Sequence, residues 1–413
     1  MHIKYITYYM RRPFAILITA FILLTNGVVF AQIPENGLYK ESFDDGKVRL
    51  ERTYAGGVLN GLFREYYPDG RLMAVGTYKN GKLDGGYKSY YQDGELFLEK
   101  TYINGAQHGP AKEYYENGQV KSAEMYKFDV LEGLCKYFND NGVLKSSMTF
   151  LGGQLSGESR QYNEVGTLTG IVNYRDNEMS GESREFADQG ALSAVWNYVK
   201  GVKEGEGRTF YDNGREEWSL NFKNGEINGP GRKHDRAGVL ILDAEYKNNQ
   251  YHGLVREFFE NARVKSECYY KDGVRDGTCK EFHPNGAPRI EWTYAAGEKQ
   301  GQAREYRDTG VLWMEVTYDK GRQNGAMREY FPNGKIKKEW LIAAGVQQGS
   351  CRSFYDTGEL MTEEFFQDGK LQGELRLFNK TGDIAYIDTY DHGVKIKRKG
   401  FDARGKMDFE QSY

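Results

Sequence analysis

Glycine recurs at Gly37, Gly61, Gly85, Gly109 and onward to Gly373, every 24 residues for fifteen consecutive positions without a gap. A fixed stride of this length is the signature of a repeat architecture, in which each unit buries its apolar side only against its neighbours. A second series runs from Gly46 through Gly70 and Gly94 to Gly382 and is broken once, by Ala262. A third runs from Gly57 through Gly81 and Gly105 to Gly393, and its three exceptions are Asp129, Asn177 and Asn249. Asn and Asp are the non-glycine residues that best tolerate positive φ, so the third series marks a position with a left-handed backbone. Together the three series hold 41 of the 51 glycines, which makes glycine punctuation rather than filler.

Between the marks lie two short runs. In the unit Gly61 to Asp84, the run Gly-Leu-Phe-Arg-Glu-Tyr-Tyr leads into Pro68-Asp69-Gly70, and Arg-Leu-Met-Ala-Val-Gly-Thr-Tyr leads into Lys79-Asn80-Gly81. Each run is too short for a helix, and each ends in a turn signal, so the unit reads as a β-hairpin. The column of residues at 24-residue spacing through Tyr66 is aromatic from Tyr66 to Phe378 except at His234. The Tyr78 column is aromatic in fourteen of fifteen units, with Ile342 the exception, and the Leu72 column is aliphatic in thirteen, with Glu216 and Pro288 outside the pattern. A three-residue loop at 68–70 sets Tyr66 opposite Leu72 and places residues 62, 64, 66, 72, 74, 76 and 78 on one apolar face. Glu65 and the columns of residues 73, 75 and 77 then form a solvated face.

The expected fold is all-β: an elongated, twisted antiparallel β-meander or solenoid of about fifteen 24-residue hairpins, roughly 140 Å long. Its apolar face needs shelter from the curl of the sheet, from a second copy of the chain or from a bound partner. Residues 32–396 hold the fifteen repeats, and residues 397–413 continue the pattern, after one missing residue, as a truncated capping repeat. The first 31 residues read as a targeting segment: Arg11 and Arg12 precede an uncharged run from Pro13 to Ala31, with small residues Val29 and Ala31 before Gln32. Export to the periplasm, the cell surface or the medium is expected, the alternative being an uncleaved N-terminal anchor.

Units carrying Tyr-Tyr-x-Asn-Gly-x-Leu or its variants and Tyr-x-Asn-Gly-x-x-x-Gly, as at Tyr114 to Val120 and Tyr102 to Gly109, resemble the bacterial variant of the MORN repeat. The resemblance implies extended antiparallel β-rods that serve as scaffolds, dimerise or touch lipids. It also brings the label of YwqK-type antitoxins of toxin–antitoxin systems. Fifteen copies behind an export signal depart from a small cytoplasmic antitoxin.

Net charge is -3, from 56 basic and 59 acidic side chains, which speaks against nucleic acid as a partner. The Arg64 column, with Lys40, Lys88 and Lys112 among its members, is Lys or Arg in all fifteen units. It reads either as a cation ladder with a step of about 10 Å for a repetitive anionic ligand, or as stems lying along the Tyr66-type rings with cation–aromatic contacts. The column of Tyr67, Tyr91 and Tyr115 reads as exposed aromatics able to stack on sugar rings or a peptide, or as cross-strand pairs. The turn glycines Gly61, Gly70, Gly81, Gly85, Gly94 and Gly105 are structural. His108 and His252 occupy equivalent loop positions six units apart, roughly 58 Å by strand spacing, and cannot share a metal. No P-loop, dinucleotide fingerprint or nucleophile elbow is present, so no enzyme, cofactor or metal is expected. Of Cys135, Cys268, Cys279 and Cys351, only Cys268 and Cys279 lie on adjoining strands. The register above puts them on opposite faces, so a disulfide between them would contradict it.

These readings point to an exported, non-enzymatic scaffold that binds a protein or glycan along its sheet, with a homodimer through the apolar face as a further expectation. An antitoxin or immunity protein and a binder of anionic membrane surfaces through the Lys/Arg ladder are the alternatives.

Overall fold

The computed structural model describes residues 33–413. The expected export segment, residues 1–31, lies outside the described residues. Among the described residues all regular structure is strand: a single open antiparallel sheet in which each strand pairs with its neighbours along the chain, not closed into a barrel. The 38 strand segments include six two-residue pieces, such as Ala106–Gln107, that lead directly into the strand after them. Hairpins therefore follow one another at the expected stride, from Gly37–Ser42 and Val48–Ala55 to Val394–Phe401 and Met407–Ser412.

Both turns of the unit follow from local chemistry. Asn80 and Gly81 have φ of 52° and 77°, a two-residue turn with both residues left-handed, whose twist matches that of the paired strands. Asp129, Asn177 and Asn249 also sit at positive φ, at 65°, 69° and 65°, as their place in the glycine series predicts. Each adds a bond that glycine cannot make: their Oδ1 atoms accept from the backbone N–H groups of Gln107, Leu155 and Ile227 at 2.7, 2.8 and 2.8 Å. The first series answers a different demand. Between hairpins, Asn60, Gly61 and Leu62 stand against the single residue Thr53, and a Cβ on Gly61 would lie 3.0 Å from the Thr53 Cβ.

The assignment of faces needs one correction. Tyr66 does oppose Leu72, but Glu65 pairs with Ala74, so Met73 is an extra residue and the hairpin carries a β-bulge. From there Phe63 faces Gly76, Arg64 faces Val75 and Gly61 faces Tyr78. The buried face is therefore built from the columns of residues 63, 74, 76 and 78, whereas residues 62, 64 and 66 lie on the outward face with 75 and 77. An unbulged hairpin would have put 62, 64 and 66 with 74, 76 and 78; one inserted residue moves the whole first strand to the other side.

The corrected inner face is sheltered within a single chain. Phe63 and Ala74 are each 4% exposed, and Cys135, Cys279 and Cys351 are fully buried. Side-chain volumes are complementary at several rungs: Phe63 covers Gly76, Ser183 faces Trp196 and Cys279 faces Trp292. Large opposite small is how one sheet layer fills its own surface. Cys268 pairs directly with Cys279, with Cα atoms 4.1 Å apart, and the two form a disulfide. The expectation that they fall on opposite faces is overturned by the same bulge.

Neighbour-only pairing makes the rod modular. Excision of residues 157–180, one complete unit, should leave a cooperatively folded chain shorter by roughly 10 Å. Small-angle scattering with a urea titration checks this, and a molten or aggregated product would contradict the modular description.

Candidate binding surface

The Arg64 column stands on the outward face with its members on alternate strands, all exposed but the half-buried Arg256 and Lys280. Register sets each cation beside the column of Glu51 and Val75 on both flanking strands: Arg64 faces Glu51 on one side and Val75 on the other. Where that column is acidic, ion pairs form, with Lys40–Glu51 at 2.7 Å, Arg64–Glu51 at 3.2 Å and Lys88–Glu99 at 3.1 Å. The Tyr66 hydroxyl donates to the same Glu51 carboxylate at 3.1 Å. The Lys40 hydrogen bond is the first cause holding the Glu51 carboxyl below its ordinary range, ahead of the opposing effect of burial. Among the described residues no cation of this column lies over a ring, so the cation–aromatic reading gives way to a cation–carboxylate ladder. Carboxylates of the Val75 column had been placed on the face opposite the cations; the bulge brings them together.

From Arg232 to Arg376 the ladder is unbroken. Asp243, Glu267, Glu291, Glu315, Glu339 and Glu363 alternate with seven cations, each acid lying between two of them. Glu315 shows the pattern, with Arg304 at 3.2 Å, Arg328 at 3.7 Å and the Tyr330 hydroxyl at 2.8 Å.

From Ala123 to Ser219 the acids are missing. The rungs there are Ala123, Ser147, Ile171, Val195 and Ser219. Arg160, Arg184 and Arg208 instead take glutamates two residues back on their own strands, Glu158, Glu182 and Glu206, at 2.6, 2.6 and 2.8 Å. Lys112 and Lys136 have Pro110 and Leu134 at that place. Both lysines are exposed, and neither makes an ion pair within 4.0 Å among the described residues. Glu99, beside Lys112 in register, is taken by Lys88.

The tyrosine column of Tyr67, Tyr91 and Tyr115 is half-buried rather than exposed. Its hydroxyls donate to the backbone carbonyls of Tyr90, Tyr114 and Phe138, 23 residues on, at 2.7, 2.7 and 2.8 Å. Tyr211 and Tyr355 repeat the bond to His234 and Phe378. Arg307 replaces the ring with a guanidinium that reaches the Tyr330 carbonyl at 3.1 Å, and the His283 ring nitrogen lies 3.2 Å from the Tyr306 carbonyl. At these seven positions the column supplies a donor for one carbonyl and staples a hairpin to the next, whereas Ala187, Phe259 and Phe331 in the same column carry no donor. Tyr91→Phe should keep the ring contact with Phe97, at 4.9 Å between centroids, and lose the staple. The expected cost is about 1 kcal/mol in a urea titration, and an unchanged midpoint would remove the staple's role.

Sequence reasoning missed the row beside the lysines. Met125 and Leu134 are 42% and 53% exposed, on the outward face with Pro110, which pairs with Met125 in register. Their only signal is that the Thr77 and Leu62 columns both become apolar at adjoining strands. No group of three or more His, Cys, Asp or Glu side chains suited to a metal ion occurs among the described residues.

These features define the class: a single-layer antiparallel sheet of tandem hairpins with one self-filled face and one ladder-bearing face. Seven segments, residues 59–80, 83–104, 107–128, 131–151, 275–296, 323–342 and 347–368, match the model of the MORN repeat variant. The chain carries MORN repeats of that variant kind. No curated protein matches it. Among solved structures, a crystal structure of TcdB2-TccC3 is 12% identical with a TM-score of 0.16, covering 92% of this chain and 25% of that one. The Tc holotoxin pore of Photorhabdus luminescens is 12% identical with a TM-score of 0.14, covering 92% of this chain and 24% of that one. The chain thus spans about a quarter of the length of these structures.

Proposed function

We propose that this protein is a non-catalytic scaffold, working outside the cytoplasm, that holds a protein or glycan partner along the outward face of its sheet. The observation that carries this reading is the division of labour between faces. The inner face is packed by the chain's own side chains, its Phe63 column mostly buried and its Tyr78 column mostly half-buried, so the outward face is the more open surface along the rod. A second copy is not needed to cover the inner columns, which favours a foreign partner over a dimer through that face. The Cys268–Cys279 disulfide supports action in an oxidising compartment, as does the basic and apolar N-terminal run.

Affinity capture tests this: the chain from residue 32 is immobilised and challenged with an envelope extract, and bound material is identified by mass spectrometry. A specific envelope protein or glycan, retained at low salt and competed by free chain, is the expected result. An empty eluate would overturn the reading. Recovery of a toxin, neutralised by the chain, would replace it with an immunity role, and retention on anionic vesicles that fades with salt would replace it with membrane binding.

A further inference from the structure

We infer that the outward face between Pro110 and Ser147 is a docking site for an acidic amphipathic helix of a protein partner. The inference rests on the scaffold reading and gives it a place and a chemistry. Three observations meet there. Lys112 and Lys136 are the ladder cations left without a carboxylate in ion-pair range, with Ala123 between them in register and Ser147 beyond. Met125 and Leu134, exposed at 42% and 53%, run beside them in the adjoining row with Pro110. Both rows end where glutamates return, because Arg160, the next cation along, is held by Glu158 at 2.6 Å.

The shortness of the open stretch selects the ligand. An anionic polymer or a membrane would engage a continuous run of cations, but Arg160, Arg184 and Arg208 are already taken by their own glutamates. Two lysines, two strands apart, stand roughly 10 Å from each other. That is the separation of carboxylates at positions i and i+7 of a helix, which rises about 10.5 Å over seven residues. The side chains at i+3 and i+4 of such a helix project to the same side. There they meet Met125 and Leu134, unbranched and branched aliphatic side chains that leucines cover more fully than the hydroxyl-rich surface of a glycan does. The acids of the helix would complete the alternation of charge that every rung from Arg232 to Arg376 already shows.

The probe is a fluorescein-labelled, alanine-based 18-residue peptide with glutamates seven apart and leucines three and four residues after the first. Fluorescence anisotropy is read against the chain from residue 32 at about 50 mM salt, where surface electrostatics are weakly screened. Saturable binding is expected, with at least a tenfold loss in Lys112→Glu/Lys136→Glu and a several-fold loss in Leu134→Asn. Lys370→Glu/Lys406→Glu, with the same net charge change elsewhere, should bind as the parent does, and circular dichroism verifies that all variants are folded. Absence of binding by the parent, or an equal loss in the distant pair, overturns the proposal. So does tighter Lys112- and Lys136-dependent retention of a sulfated glycan or of phosphatidylglycerol vesicles. Envelope capture that persists in Lys112→Glu/Lys136→Glu would sink this site while leaving the scaffold reading intact.

Discussion

A Gly207→Val substitution will destabilise the central repeats by about 3 kcal/mol, the upper end for forcing atoms into a filled interior. Gly207 needs no unusual backbone, so the effect is one of space alone. A Cβ built there would lie 2.6 Å from Trp196 Cε3 and 2.9 Å from Phe222 Cε2. Those rings meet edge to face, with centroids 5.7 Å apart, and Lys203 lies over the Trp196 ring with Nζ 3.2 Å from its centroid. None of the three can retreat without opening the inner face. Trp196→Ala is costly by itself, but combined with Gly207→Val the loss should fall short of the sum by about 2 kcal/mol, because the valine occupies space the indole vacated. Urea titrations followed by near-ultraviolet dichroism give the four corners of this cycle. Strict additivity would show that the columns of residues 63 and 76 do not fill one shared layer.

Reduction of the Cys268–Cys279 bond, or the double substitution Cys268→Ser/Cys279→Ser, will cost roughly 3 kcal/mol. The closed loop is short, with a sequence separation of 11, and the cross-link acts mainly by restricting the unfolded chain. Because stability in a tandem array is a nearest-neighbour property, the loss will stay local. Amide exchange should accelerate in Val264–Lys271 and Val274–Phe282, which carry the pair, and in Pro288–Ala295, where Trp292 and Tyr294 pack on it, and hardly at all beyond two repeats. Equal exchange with and without reductant would mean that the bridge does not form in the working protein. The buried thiols of Cys135 and Cys351 are pushed upward by burial, Cys351 to about 11, so neither competes for the bridge near neutral pH.

Much of this was legible from glycine spacing: in the Gly57 series the replacements are Asp129, Asn177 and Asn249, the residue types that best tolerate a left-handed backbone. The hairpins, their stride and the Tyr66–Leu72 pairing follow from such columns. What the spacing concealed was the bulge at Met73. It leaves no composition of its own, yet it moves Arg64 from the core side to solvent and puts the columns of Cys268 and Cys279 on one face. A trace was available in the inverse sizes of facing columns, as with Phe63 over Gly76. The role of Tyr67, Tyr91 and Tyr115 was hidden for another reason: their acceptor is a backbone carbonyl, which every residue type provides, so no partner column changes in step with them. The open lysines were hidden because their distinction is a missing neighbour, visible only once register says which neighbours to count.

The bulge has one more consequence. Strand order in most long sheets depends on dead reckoning, each pairing inheriting the phase of the one before. Here the phase is re-established inside every hairpin, so a slip cannot travel. The last hairpin demonstrates it: one residue is lost near Ile396, Thr389 pairs with Lys397 where a glycine loop would otherwise stand, and Gly400 still meets Phe409 in the usual pattern. A chain that restarts its own count in this way can lengthen, shorten or lose a residue during evolution, and each error stays confined to the unit in which it occurs.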